Sequence, residues 1–251
     1  KWYGDIEAQY QTKKRYSGAI TASRLSDHDP HMIYAQANNA NRYIDKTIGS
    51  TMNRNIDGDG KSQYGSYNYQ HNWQTKGTQQ YTSNRFNISA NMGHSDGWNS
   101  GKASTETFFP NQEHTFGVKD TYRYKHNLKP QLEAKLFAYT DSANTIDVNV
   151  KASYEKARKS YEEKSASYGY QPDQFAYHSL KEALGAKPGD ALYDRLITRD
   201  SEYESTDLQQ RGLNISYIWK HFIGKKGSFM LGGDTNLSGT NEDTHTNHDV
   251  E

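Results

Sequence analysis

Residues 85–92 read Arg-Phe-Asn-Ile-Ser-Ala-Asn-Met, a strict alternation of polar and apolar side chains. Because successive side chains of a β-strand point to opposite faces, this order predicts a strand with one apolar and one polar face. The same alternation recurs at 4–10, 16–22, 63–73, 113–125, 131–140, 146–154, 208–221 and 229–237. The sequence therefore predicts an all-β fold of antiparallel strands, about eight in number.

The composition suits strands that bury only one face. Hydrophobic residues make up 33% of the 251 residues, and exchanging the 20 Tyr for the 20 Gly leaves that share unchanged. Typical soluble domains have about 45–50% on the count that includes glycine. An aromatic content of 13% and a net charge of zero disfavour a disordered chain, and the charge balance also disfavours a nucleic-acid-binding protein. The sequence contains no cysteine, which excludes disulfides and thiolate metal sites.

The spacing of the strands predicts a membrane barrel. Short turns are expected at 12–15, 74–79, 126–130 and 223–227, and long polar loops at about 25–62, 93–112 and 157–206. Short turns on one side and long loops on the other are typical of bacterial outer-membrane barrels, whose strands alternate between lipid-facing and inward-facing residues. We therefore expect residues 1–251 to form part of a transmembrane outer-membrane β-barrel, with the long loops outside the cell. A secreted β-sandwich or β-repeat protein would show the same alternation.

The segment 213–231 resembles a known family. Its strand Leu-Asn-Ile-Ser-Tyr-Ile-Trp-Lys-His-Phe (213–222) is followed by a Gly-Lys-Lys-Gly turn (224–227) and a further strand. This pattern resembles the barrel of Bacteroidetes-type TonB-dependent outer-membrane receptors, and residues 114–158 look similar to the preceding repeat. The resemblance implies uptake of a ligand across the bacterial outer membrane, with membrane lipid, TonB and a surface lipoprotein as partners.

Neither a plug domain nor a TonB-contact segment is found, and residues 248–251 lack the aromatic terminus common in outer-membrane barrels. We therefore expect an internal portion of a larger barrel, with 4–11 and 228–239 pairing with further strands. The alternative is a complete eight-stranded barrel in which those two strands pair with each other.

Other functions stay open on the sequence alone. One is a non-transport outer-membrane barrel subunit with a structural, adhesion or assembly role, and another is a secreted β-rich binding protein. No nucleophile elbow, phosphate-binding loop or HExxH motif is found. We therefore expect neither enzymatic activity nor a cofactor.

Candidate ligand-binding residues are few. Trp98, Phe108 and Phe109 fall in the predicted loop 93–112, where exposed aromatic side chains can hold a ligand or anchor the loop. Residues 55–60 (Asn-Ile-Asp-Gly-Asp-Gly) resemble the front of a calcium loop, but its twelfth position is Ser66 and not the bidentate Glu. An Asx/Gly turn is the alternative.

Two groups of histidines and acidic residues lie in predicted loops, within 27–31 and 245–249. Imidazole groups at such spacing can bind transition metals, but neither group has a strand or helix spacing that fixes its geometry. We therefore predict no metal site. The pattern Ser179-Leu-Lys-Glu182 with Gly185 predicts a short helix, and Asp190 a second one, in a loop that folds and covers part of the molecule.

Overall fold

The computed structural model describes residues 1–12, 14–39, 59–74, 84–108, 114–169, 177–224 and 227–250. Nine strands form one sheet in which each strand pairs antiparallel with the next along the chain. The strands are β1 (Trp2–Gln11), β2 (Arg15–Arg24), β3 (His31–Asn38), β4 (Asp59–Trp73), β5 (Asn84–Phe108), β6 (His114–Tyr139), β7 (Asn144–Tyr168), β8 (Leu196–Ile223) and β9 (Gly227–Val250). The predicted all-β antiparallel fold is confirmed.

The nine strands correct the expected number of eight. The predicted loop 25–62 contains the whole of β3 and the start of β4. The alternation of polar and apolar residues does not reveal β3, because Met32 and Tyr34 lie on its polar face, opposite Ile33 and Ala35. Hydrophobic periodicity cannot separate two faces that both carry large apolar groups.

The predicted loops 93–112 and 157–206 are also much shorter in the structure. β5 continues to Phe108, β7 continues to Tyr168, and only 169–195 connects β7 to β8. The backbone stays paired through these regions, for example between Gly97 and Lys125. In the outer segments of these strands, both faces carry mostly polar side chains. The alternation of apolar and polar residues therefore disappears from the sequence, although the strands remain hydrogen-bonded.

The expected turn at 126–130 lies inside β6. On one side of the strand, Pro130 is paired with Met92 of β5. On the other side, the pairing of β6 with β7 ends at Leu128 and resumes at Gln131. Proline has no N–H to donate, which explains a local interruption on one side of a continuing strand.

The antiparallel order determines which connections share an end of the sheet. One end, here called the long-loop end, carries the connections 12–14, 39–58, 109–113 and 169–195, and the opposite short-turn end carries 25–30, 74–83, 140–143 and 224–226. The turn near 12–15 therefore lies opposite the turns near 74–79 and 223–227, which corrects the prediction that all of them share one side. The two longest connections do share an end.

The described sheet is open, with β1 and β9 as its edges. Because eight reversals separate them, β1 and β9 run in the same direction. An all-antiparallel barrel needs an even number of strands, so antiparallel closure of β1 on β9 as an eight-stranded barrel is wrong for this sheet. Ala8 and Leu231 lie on its opposite edges.

One helix packs on the sheet. α1 (Tyr177–Gly185) buries Leu180 and Ala183 against strand residues Val118, Ala166 and Tyr168. The first predicted helix is thus confirmed with its end at Gly185, but it begins two residues before Ser179, the residue that the capping pattern placed at its start. The second predicted helix is only a single 3-10 turn (Tyr193–Arg195). Within the described ranges, no helix combines the length and apolarity needed to cross a membrane.

Candidate functional site

The strand register places the predicted apolar residues on one face of the sheet, here called the band face. Directly paired residues of neighbouring strands point to the same side, so the pairing can be followed from β1 to β9. The residues expected to contact lipid share this face: Ile6, Ala8, Ile20, Ala22, Phe86, Ile88, Ala90, Leu132, Leu136, Leu213 and Ile215. The opposite polar face carries Glu7, Gln9, Thr21, Ser23, Arg85, Asn87 and Ser89.

The apolar residues form a band that has the same width on the two edge strands. On β1 the band runs from Trp2 to Tyr10, and on β9 from Phe229 to Leu237, which is nine residues in each case. At about 3.3 Å per residue the band extends roughly 26 Å along these strands. Its side chains are uncovered at the edge, where Ile6 is 80% exposed.

The band crosses the sheet at a slant. The row of paired residues that begins at Trp2 reaches Thr235 on β9, six residues away from Phe229, where the band begins on that strand. The band therefore shifts by six residues (at about 3.3 Å each) over eight strand-to-strand steps (at about 4.8 Å each), which corresponds to a strand tilt of about 27°. Measured perpendicular to the direction in which it crosses the sheet, the band is then about 23 Å high. Outer-membrane barrels have strands tilted by about 35–45° and an apolar band about 25 Å tall.

Aromatic side chains border the band at the short-turn end. The ring contacts join Trp2 to His31 (5.8 Å between centroids), His31 to Tyr69 (4.7 Å), His71 to Trp73 (5.5 Å) and Trp219 to both His221 (6.0 Å) and Phe229 (5.9 Å). All of these rings lie on the band face and follow its slant. Aromatic rings at this position are typical of the boundary between lipid and water.

The polar face carries a line of basic side chains on β6. All of them are at odd-numbered positions of the strand, which point to the same face: Lys119, Arg123, Lys125, Lys129 and Lys135. Lys119 and Lys129 have acidic partners. Lys119 Nζ lies 2.5 Å from Glu163 Oε1, and Lys129 Nζ lies 2.7 Å from Glu155 Oε1. This line was not predicted from the sequence, because a turn at 126–130 would have divided it. Its signal was the placement of five basic residues at odd positions between 119 and 135.

Glu163 is the centre of a connected group of side chains on this face. Its carboxylate accepts hydrogen bonds from Lys119 and from the Tyr161 hydroxyl. The guanidinium of Arg123 lies 5.3 Å from the centre of the Tyr161 ring. The hydrogen bond from Lys119, followed by that from Tyr161, holds the pKa of Glu163 below its ordinary value of 4.5 and raises the pKa of Lys119.

Replacement of Glu163 by Gln should flatten the acid dependence of stability. A carboxylate with a lowered pKa stabilises the folded state above its unfolded pKa, and this contribution is lost as the pH falls through the folded pKa. Below about pH 4.5 we therefore expect the free energy of unfolding to fall more steeply in the parent protein than in Glu163→Gln. Urea titrations between pH 3 and pH 7 measure both slopes, and equal slopes would contradict the assigned contacts.

Of the three aromatic candidates, the structure describes two, and it places them in a strand and not in a loop. Trp98 lies within β5 opposite Tyr124, and Phe108 is the last residue of β5, with its ring 4.6 Å from His114. Phe109 lies outside the described residues. Trp98 and Phe108 are ten residues apart along one strand, which separates them by about 33 Å. They do not form one binding site.

The candidate cation ligands are also separated. Residues 55–58 of the calcium-like segment lie outside the described residues, and its last two residues begin β4. His28 Nδ1 lies 3.3 Å from the Asn72 carbonyl oxygen, whereas His31 is among the border aromatics. His245 and His248 point to opposite faces of β9, and His248 Nε2 lies 2.9 Å from Asp200 Oδ1.

α1 covers the band face beyond the end of the band. Val118, Ala166 and Tyr168, which it contacts, all share that face. The predicted covering segment within 157–206 therefore packs on the side opposite the basic line. It shields apolar strand residues that lie above the band.

Comparison with known proteins identifies no family for this chain. Neither a family model nor a curated protein matches it. Among solved structures, the crystal structure of Pseudomonas aeruginosa OccK8 (OprE) aligns over 100% of this chain and 96% of that chain, at 8% identity and a TM-score of 0.11. At such a TM-score the two backbones do not superpose, so function has to be argued from the two faces of the sheet.

Proposed function

We propose that this chain is a segment of an outer-membrane β-barrel. The band face contacts lipid, the polar face lines a water-filled interior, and the long-loop end lies outside the cell. The slanted nine-residue band carries this proposal, because its height is close to the apolar band of about 25 Å that barrel strands present to lipid. Its strands are tilted in the same sense of slant, by somewhat less than the usual 35–45°.

The distribution of polar groups favours a barrel over a soluble sandwich. In a sandwich the apolar face would pack against a second sheet and the polar face would meet solvent. Here the apolar band is uncovered, while buried residues such as Ser17, Tyr34 and Tyr64 lie on the polar face. The polar side is thus the crowded one, as expected for the inner side of a curved sheet.

The finer proposal is a TonB-dependent transporter that takes up a ligand across the outer membrane. The resemblance of 213–231 to the barrels of such receptors supports it. So do strands β5–β9, of 24 to 28 residues, which continue far beyond the band at the long-loop end and could present a binding surface outside the cell. The full reading frame tests this directly, since an upstream plug domain is expected. A frame without one would leave a non-transport barrel subunit.

Labels at different depths test the membrane proposal. The chain contains no cysteine, so single substitutions can be labelled cleanly in the full-length protein in lipid vesicles. Positions 2, 88, 150 and 235 belong to one row of paired residues on the band face. Because the strands are tilted, we expect fluorophores there to be quenched by brominated lipids at successively different depths, from the short-turn border at 2 to beyond the middle at 235.

Labels at Ser89 and Lys151 are the matched controls, because each neighbours a band-face position on the polar face. We expect iodide to quench these two and brominated lipid to leave them unchanged. Equal quenching of both sets by iodide would show a secreted β-rich protein, and equal depths along the row would contradict the tilt.

A further inference from the structure

Three potential metal ligands meet on the band face just beyond the band. His94 and Asp96 are alternate residues of β5, and Asp96 is paired directly with His126 of β6. His126 Nδ1 lies 2.7 Å from Asp96 Oδ1, and His94 Nε2 lies 3.5 Å from Asp96 Oδ2. Within the described ranges, this is the one group of three such residues whose ligand atoms all lie within 4.8 Å of one another.

The sheet holds these side chains in a defined arrangement. Each is about a quarter exposed, and the two imidazole rings meet edge to face with centroids 5.1 Å apart. The hydroxyl of Tyr124 donates a hydrogen bond of 3.0 Å to Asp96 Oδ1. A hydrogen bond of this kind orients a carboxylate that binds a metal, and ligands on paired strands are positioned more accurately than ligands on loops.

We propose that His94, Asp96 and His126 bind one Zn²⁺ ion on the β5–β6 hairpin. Zinc takes imidazole nitrogen and carboxylate oxygen ligands at about 2.0–2.2 Å, and three protein ligands leave a fourth position for water or an external donor. The ion joins two neighbouring strands above the band. This site goes beyond the proposed membrane function and does not depend on lipid contact.

The neighbouring charges are compatible with a bound cation. Arg158 is opposite His126, but its guanidinium is paired with the Asp207 carboxylate through two contacts of 2.6 Å. Lys61 is opposite Asp96 on β4, and its side chain is exposed and can turn towards solvent. Cationic neighbours lower the affinity of a metal site without occupying it.

Zinc titration of the full-length protein tests the proposal, with Co²⁺ absorption as a second readout of the ligand set. We expect one tight site per chain, loss of that site in His126→Ala and in Asp96→Asn, and a decrease in affinity of about 10–100-fold in Tyr124→Phe. Circular dichroism of each variant checks that the sheet is retained.

The matched control is His114→Ala on the same hairpin. His114 Nδ1 lies 3.0 Å from Glu106 Oε1 on the same two strands. Among the described residues, no third potential ligand joins this histidine–carboxylate pair. This variant should keep the tight site. The proposal is overturned if the parent protein binds no zinc at micromolar concentration, or if His126→Ala binds as tightly as the parent.

Discussion

Replacement of Ile88 by Arg is expected to destabilise the protein in a lipid bilayer by about 2–4 kcal/mol. Ile88 lies on the band face of β5, between paired Tyr69 and Ala134, and close to the middle of the band on that strand. In the proposed barrel, a guanidinium there must either enter the hydrocarbon or distort the bilayer. The free energy of unfolding, measured by denaturant titration in vesicles, reports the cost.

Ser89→Arg is the control, at nearly the same depth but on the polar face. Its partner across the strands is Glu133. In the proposed barrel, the new charge therefore meets a carboxylate and the water-filled interior. We expect a change close to zero for this variant. The same large loss from both substitutions would indicate that the two faces meet the same environment, and the barrel proposal would fail.

The sequence predicted the two faces of the sheet well because period-2 alternation is a local signal. Phe86, Ile88 and Ala90 were predicted to share one face of a strand, and they do so in β5. The same signal disappeared in the outer parts of β5 and β7, where neither face is apolar. Strand pairing there is determined by the neighbouring strand, which no local pattern contains.

Local turn signals were misleading for a related reason. Asn127 and Pro130 favour a turn, but β5 on one side and β7 on the other continue through that level and keep β6 extended. The His94, Asp96 and His126 group was equally inaccessible from the sequence. His94 and Asp96 are two residues apart in the sequence, but His126 is brought beside them only by the register between β5 and β6.

Replacement of Leu180 by Ala is expected to release α1 from the sheet. Leu180 is 3% exposed and packs with the fully buried Tyr168 and Ala183, and truncation of a buried leucine costs about 2–5 kcal/mol. A nine-residue helix has little stability without its packing surface, so most of its protection should be lost. Amide hydrogen exchange over 177–185 should therefore accelerate by roughly 30-fold or more, while exchange in β6 and β7 stays slow. Lys181→Ala, on the exposed side of the same helix, should leave the protection unchanged. If Leu180→Ala keeps it too, the hydrogen bond of Arg199 to the Ala186 carbonyl (2.7 Å) holds the segment in place, and apolar packing does not.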